Sequence, residues 1–129
     1  VPAERMKGGK AHRVPLTDEM LSILEPLKAL DSEFVFEGQK RHHPLSNMSM
    51  LMLLRRMDAN GFTVHGFRSS FRDWAAEAVQ APRELAEAAL AHQIGTEVER
   101  AYARSDLFDL RRDLMSSWSN AVTRRAVSG

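Results

Sequence analysis

His65-Gly66-Phe67-Arg68-Ser69-Ser70-Phe71-Arg72-Asp73-Trp74-Ala75 is the stretch on which the reading of this sequence turns. Phe67, Phe71, Trp74 and Ala75, with Ala78 beyond them, recur at helical spacing, which predicts a helix from about His65 to Val79. His65 and Arg68 stand three residues apart near its start, so imidazole and guanidinium share a face. Their donors then point to one place beside a helix N-terminus, which itself favours anions. A lone His-x-x-Arg is weak evidence, since such pairs also arise by chance on ordinary helices.

Toward the C-terminus, Pro82 fits the first turn of a helix over Arg83 to Ala91. Gly95 breaks it, and Thr96 starts a short helix that runs to about Ala103. A last amphipathic helix runs from about Leu107 to Val122, with Leu110, Leu114, Trp118 and Val122 on one stripe, packed on the protein's own core. Toward the N-terminus, Ser46 is the expected cap of a helix through Leu51, Leu53, Leu54 and Met57, closed by Asn60-Gly61. Phe34-Val35-Phe36, before Gly38, is a brief strand or a buried turn, and Gln39 to Pro44 is polar loop. Thr17 is an expected N-cap, with Asp18 and Glu19 in the first turn where the dipole favours acids. Met20, Leu21, Ile23, Leu24 and Leu27 give that helix an apolar face until Pro26 distorts or ends it.

The opening reads as a β-hairpin. Ala3 to Met6 and Ala11 to Leu16 flank Lys7-Gly8-Gly9-Lys10, where paired glycines supply the positive φ of a tight turn. The predicted fold class is therefore mainly α with a small N-terminal β-hairpin. One domain is expected over residues 1–129: a hairpin at 1–16, a helical body at 17–125 and a frayed tail at 126–129. The first residues read like the middle of a strand, so the chain is expected to be part of a longer protein.

A length of 129 residues suits one domain with a real core and no need of disulfides or metals. The absence of cysteine excludes a disulfide scaffold, a thiolate zinc site and a cysteine nucleophile, and fits a reducing cytoplasm. No hydrophobic run is long enough to cross a bilayer; the longest, Met48 to Leu54, leads straight into Arg55 and Arg56. No signal peptide is recognisable at the start. A net charge of +1 argues only weakly for nucleic acid, but its distribution is uneven. Arg5, Lys7, Lys10 and Arg13 crowd the N-terminal segment. Arg100, Arg104, Arg111, Arg112, Arg124 and Arg125 mark the other end. Acids concentrate elsewhere, at Glu77, Glu84, Glu87, Glu97 and Glu99, and a solvated mixed-charge surface accounts for such a pattern equally well.

No phosphate-cradling glycine-rich loop and no dinucleotide fingerprint occur. His42 and His43 are adjacent in a loop without partners at metal-ligand spacing, which suits surface residues. His92 closes Leu90-Ala91-His92, and ten residues on stands Tyr102, the only tyrosine. A buried tyrosine usually packs with its hydroxyl hydrogen-bonded. Tyr102, however, lies between Arg100 and Arg104 with Ala101 and Ala103 beside it, which suits a hydroxyl approaching a phosphate. Lys7, at the bend of the glycine turn, is by itself an exposed turn lysine.

The order of these features says more than any one of them. Lysine on a hairpin, then His-x-x-Arg, then histidine, then tyrosine resembles the catalytic series of tyrosine recombinases. Glu4-Arg5-Met6-Lys7 with His12-Arg13-Val14-Pro15-Leu16 looks like the hairpin of phage integrases of the P4-like group. His65 to Ala75 is similar to that group's second catalytic box. Leu90-Ala91-His92, Ala101-Tyr102-Ala103-Arg104, Arg111-Arg112 and Trp118 resemble its closing segment. The resemblance covers Pro2 to about Trp118. The family also uses an arginine upstream of the hairpin and amino-terminal DNA-clamping domains. Neither is among these residues, so the chain alone is expected to be weakly active or inactive.

The resemblance implies site-specific DNA recombination, for integration or excision of a mobile element, through a 3′-phosphotyrosyl intermediate. Tyr102 would be the nucleophile, His65 the acid–base group, Arg68 the grip on a non-bridging oxygen, and His92 a further hydrogen bond to the phosphate. Lys7 would protonate the departing 5′ oxygen. Neither ATP nor a metal nor any other cofactor is required, because the phosphotyrosyl ester conserves the bond. The implied partner is a double-stranded DNA attachment site, bound by a homotetramer of the full-length protein in the bacterial cytoplasm at the nucleoid; the fragment alone would be a monomer, and no membrane is involved. Two rival readings are a topoisomerase of type IB, which shares the chemical step, and a non-catalytic DNA-binding prophage remnant.

Overall fold

Among the described residues the chain folds into five α-helices. The computed structural model describes residues 1–92 and 107–124. The expected break at Gly95, the short helix from Thr96 to Ala103 and the tail at 126–129 lie outside the described residues. α1 is Asp18–Leu24, with Asp18 and Glu19 in its first turn. Pro26 cannot supply the next intrahelical N–H, and the chain tightens into a 3-10 segment, Glu25–Leu30, ended by Asp31 in the left-handed region at φ 44°. α2 is Ser49–Arg56, α3 is Gly66–Glu77, α4 is Arg83–Ala89 and α5 is Phe108–Arg124.

The expected start of α2 is corrected by two residues. Ser46 accepts the Ser49 N–H through its carbonyl and shares a hydroxyl contact with Ser49 at 3.0 Å, but the N-cap is Met48, with no side-chain cap. Its end is not at Asn60-Gly61 either. Asp58 takes the left-handed conformation at φ 56°, its N–H bonds Arg55 O, and the Ala59 N–H reaches Leu54 O. That pattern is a Schellman cap built on aspartate in place of glycine, and Asn60 steadies it by donating to Asp58 Oδ1 at 2.9 Å.

The expected N-terminal hairpin does not form. Pro2 has no N–H to give a ladder, and its carbonyl accepts from Arg5 at 3.1 Å, which closes Ala3–Arg5 into a 3-10 turn instead of a strand. The glycine turn is real: Gly9 adopts φ 64° and its N–H bonds Met6 O at 2.9 Å. Backbone pairing across it is confined to Val1 and His12, whose two bonds measure 2.7 and 2.9 Å. A two-stranded ribbon is marginal without further strands to bury a face, and no strand occurs among the described residues.

Phe34-Val35-Phe36 is neither strand nor buried turn, since Val35 and Phe36 are more than half exposed. The one bridge in that region joins Glu37 and Pro44. Gly38 sits under it, and a Cβ there would lie 2.6 Å from the Pro44 carbonyl oxygen, so only glycine fits.

The described residues divide into two compact units, Val1–Thr17 with Ser70–Gly129 and Asp18–Ser69. In the second unit no residue is buried; Met20, Leu24 and Leu27 form the half-buried side of α1 and its extension, and Leu51 and Leu54 that of α2. In the first unit Phe71, Ala75, Ala86 and Leu114 make the core, backed by Trp74, Leu85, Leu90, Met115 and Trp118. Trp118 meets Phe71 edge-on at 5.6 Å between ring centroids and Trp74 at 5.0 Å. Pairs of this kind add about 0.5–1.5 kcal/mol each beyond the area they bury.

The stripe expected on α5 is rotated. Leu110 and Val122 are about half exposed, whereas Arg111, Leu114 and Ser119 are buried with Met115 and Trp118 beside them. Steps of four residues drift by about 40° each on a helix of 3.6 residues per turn, so a stripe of three such steps leaves the core at both ends. The series Arg111, Leu114, Met115, Trp118, Ser119, spaced i, i+3, i+4, i+7, i+8, stays on it. Ser119 takes a hydrogen bond from the buried Thr17 hydroxyl at 3.1 Å, joining α5 to the N-terminal segment.

Candidate active site

In the first unit a cavity of about 210 Å³ opens between the N-terminal turn, the end of α4 and the start of α5. Lys10, His12, Arg13, His92 and Arg111 line it, with Gly8 and Ala91, and no carboxylate does among the described residues. Cations gathered around one concavity focus potential on it and suit an anion.

Arg111 is the floor of this arrangement. It is 1% exposed, and its Nη1 donates to the Arg13 carbonyl at 2.8 Å. Phe108, one helical turn back, carries three guanidinium groups near its ring: Arg13 at 4.3 Å, Arg112 at 5.2 Å and Arg111 at 5.6 Å. Taking a guanidinium out of water is expensive, and the ring face and carbonyl offset that cost. The sequence marks Arg111 as one of the C-terminal arginines and as part of the closing segment of the resemblance, but the expected stripe gives its buried place to Leu110.

His92 is positioned by the end of α4. Leu90 is the C-cap, and Ala91 takes φ 56° in the left-handed region. The Ala91 N–H bonds Ala88 O at 3.1 Å and the His92 N–H bonds Glu87 O at 2.9 Å, the two bonds of a Schellman motif. The His92 ring then folds back, and Nδ1 makes a short hydrogen bond with Glu87 Oε2. Glu87 is buried, and sequence reasoning had read it as one acid of a solvated face. The available signal was its place at C3 of a helix whose C″ residue is a histidine.

The other expected site residues fall as follows. Lys7 is exposed at the glycine turn; its neighbours Met6 and Gly8 line the cavity, and the lysine in the lining is Lys10. His65 and Arg68 belong to the second unit. His65 is exposed just before α3, Arg68 is half-buried in its first turn, and the Arg68 N–H bonds the His65 carbonyl at 3.0 Å. Thr63 Oγ1 accepts the Gly66 N–H at 2.9 Å and so starts the helix that carries the pair. Tyr102 lies outside the described residues. The structure thus sets His65 and Arg68 in one turn through a main-chain bond, and His92 beside the basic N-terminal turn.

His42 and His43 are exposed, as expected of surface residues. Among the described residues no group of three or more His, Asp or Glu side chains could hold a metal ion. No described helix is long and apolar enough to cross a membrane. Glu37 has a displaced titration: hydrogen bonds from the Ser32 hydroxyl at 2.7 Å and the His42 N–H at 2.8 Å hold it below the usual carboxylate range.

The sequence profile of the Phage integrase family matches residues 1–107. The chain belongs to the phage integrase family. The matched range takes in Lys7, His65, Arg68, His92 and Tyr102. The prophage integrase IntA of Escherichia coli (strain K12) is 40% identical over 133 residues, covering 100% of this chain and 32% of the relative. The integrase of Shigella phage Sf6 is 30% identical over 131 residues, covering 93% of this chain and 32% of the relative. The prophage integrase IntS of Escherichia coli (strain K12) is 30% identical with the same coverage. The chain therefore spans about a third of the length of these integrase-family relatives. No solved structure matches it.

Proposed function

We propose that the full-length protein is a tyrosine recombinase that cuts and rejoins double-stranded DNA at attachment sites of a mobile element. The observation that carries this reading is the cavity at His92, lined by Lys10, His12, Arg13 and Arg111, in a chain whose family match runs through Tyr102. In the proposed reaction the Tyr102 hydroxyl attacks the scissile phosphorus. A bond forms from the phenolic oxygen to phosphorus, and the bond to the 5′ oxygen breaks. The phenolic proton leaves to a base, the 5′ oxygen gains one, and the 3′-phosphotyrosyl ester retains the energy needed for rejoining.

A free tyrosine has a pKa of about 10, so the phenol needs help at neutral pH. His65 is assigned that acid–base role, since an imidazole titrates near neutrality. Arg68 offers a planar donor fork to a non-bridging oxygen, and His92 offers one ring nitrogen to the same phosphate. Lys7 is assigned the proton for the 5′ oxygen; its place on a glycine turn gives it reach. The chain is read as the greater part of one catalytic domain, and the recombinase as a homotetramer on two DNA sites in the bacterial cytoplasm.

Covalent trapping on nicked suicide DNA carrying the element-end site tests this. A denaturation-resistant adduct that is absent from Tyr102→Phe is the expected result. DNA binding with no adduct would replace this reading with a non-catalytic DNA-binding remnant. Relaxation of plasmid without exchange between paired sites would replace it with a topoisomerase.

A further inference from the structure

We propose that Glu87 is a positioning residue for His92, holding Nδ1 as a donor to its carboxylate so that Nε2 is the nitrogen that donates to the phosphate. The inference rests on the recombinase reading for its consequence, though not for its geometry.

Three observations carry it. Glu87 holds His92 at two points, taking its backbone N–H on the main-chain carbonyl and its Nδ1 on the carboxylate. The carboxylate is buried, with 12% of its side chain exposed, while the imidazole is 43% exposed and lines the cationic cavity. A buried carboxylate is costly unless it is partnered, so a glutamate on the inner face of α4 calls for a reason. The left-handed turn at Ala91 supplies the geometry, because it swings the residue after it back over the carbonyl of C3, where Glu87 stands.

The chemistry follows from the two nitrogens. A carboxylate accepts only, so Nδ1 must be the protonated nitrogen in the contact. In the neutral ring Nε2 is then an acceptor, the wrong partner for a phosphate oxygen. In the imidazolium both nitrogens donate, Nδ1 to Glu87 and Nε2 to the phosphate, and the carboxylate balances the ring's charge. Glu87 therefore acts as counter-ion to a doubly donating His92. Among the described residues the other charged groups around the pair are Lys10, His12, Arg13 and Arg111 at the cavity, and Arg72, Asp73 and Arg83 along a second groove that Glu87 itself lines. An acceptor-only partner that holds a catalytic imidazole in one tautomer is a recurrent device, and its loss elsewhere costs on the order of 10⁴-fold in rate. Here His92 is one donor among several, so about 10- to 100-fold is expected.

The test uses the full-length protein with ¹⁵N-labelled histidine, in wild-type, Glu87→Ala and Glu87→Gln forms. Ring-nitrogen spectra should show Nδ1 of His92 protonated in the wild type and a shift toward the Nε2–H tautomer in Glu87→Ala. The first-order rate of adduct formation at saturating suicide DNA should fall about 10- to 100-fold in Glu87→Ala, with DNA affinity changed by less than about threefold. Glu87→Gln keeps an acceptor oxygen and the side-chain shape, so it should hold the tautomer yet still slow the step through loss of charge. It also guards against simple misfolding of the alanine variant. A wild-type ring in the Nε2–H form, an unchanged spectrum in a folded Glu87→Ala, or wild-type rates in both variants would overturn the proposal. Failure of the recombinase reading is distinguishable, since wild type would then give no adduct while the ring spectra still decided whether Glu87 sets the tautomer.

Discussion

The guanidinium of Arg111 donates to the carbonyl oxygen of Arg13 across 98 residues of sequence, at 2.8 Å, and both side chains flank the ring of Phe108. That single bond ties the basic N-terminal segment to the first turn of α5 and closes one wall of the cavity. Arg111→Lys keeps the charge and loses the planar fork. Stability should fall by about 1.5–3 kcal/mol in urea unfolding, the range for a hydrogen bond from a charged group. An unchanged midpoint would mean the bond is not made in solution.

The phase of α5 gives a paired prediction. Trp118→Ala removes the ring that touches both Phe71 and Trp74, and should cost about 3–5 kcal/mol. Val122→Ala, one turn further along the stripe that four-residue steps suggest, should stay within about 0.5 kcal/mol because Val122 is 48% exposed. Equal losses at the two sites would place the helix in the other phase.

Ala91→Gly should stabilise the fold. A left-handed alanine costs about 1–2 kcal/mol, and glycine's extra freedom in the unfolded chain returns about 0.5–1 of that. The net gain, about 0.5–1 kcal/mol, should raise the thermal midpoint without moving the His92 ring signals, because the Schellman bonds come from the backbone. A fall in the midpoint would mean that the end of α4 is not capped in this way.

Glu37 should titrate below its ordinary value of 4.5, which followed by NMR appears as a low midpoint for its carboxyl carbon and for the His42 amide. Its folded value is depressed, so the hydrogen bonds from Ser32 and His42 favour the fold above the unfolded pKa and are lost as pH falls through the folded one. Ser32→Ala removes the larger cause and should move the midpoint back toward 4.5. A midpoint at or above 4.5 in the wild type would contradict the loop geometry.

Much of this was legible in the sequence, and the misreadings have identifiable causes. Pro26 announced the break after α1, and the apolar spacing of Phe71, Trp74 and Ala75 announced α3. The Gly8-Gly9 turn was read correctly, but a turn does not make a hairpin when Pro2 withholds an N–H and its carbonyl is taken by Arg5. Hydrophobicity alone placed Leu110 inward and left Arg111 outside, because no hydropathy pattern anticipates a buried guanidinium lodged between a ring and a carbonyl. Of the site, the order of lysine, histidines, arginine and tyrosine was visible. Glu87 leaves one trace, its place five residues before His92, and that spacing acquires meaning only through the left-handed turn at Ala91.

The lack of any buried residue between Asp18 and Ser69 should be readable in amide exchange. Protection scales with the size of the opening that exposes a given N–H, and α1 and α2 bring no buried side chain to raise that threshold. Their amides should exchange through small local fluctuations, whereas those around Phe71, Ala75 and Leu114 should wait for global unfolding. The molecule would then show two tiers of protection, with His65 and Arg68 on the fast tier and His92 anchored to the slow one.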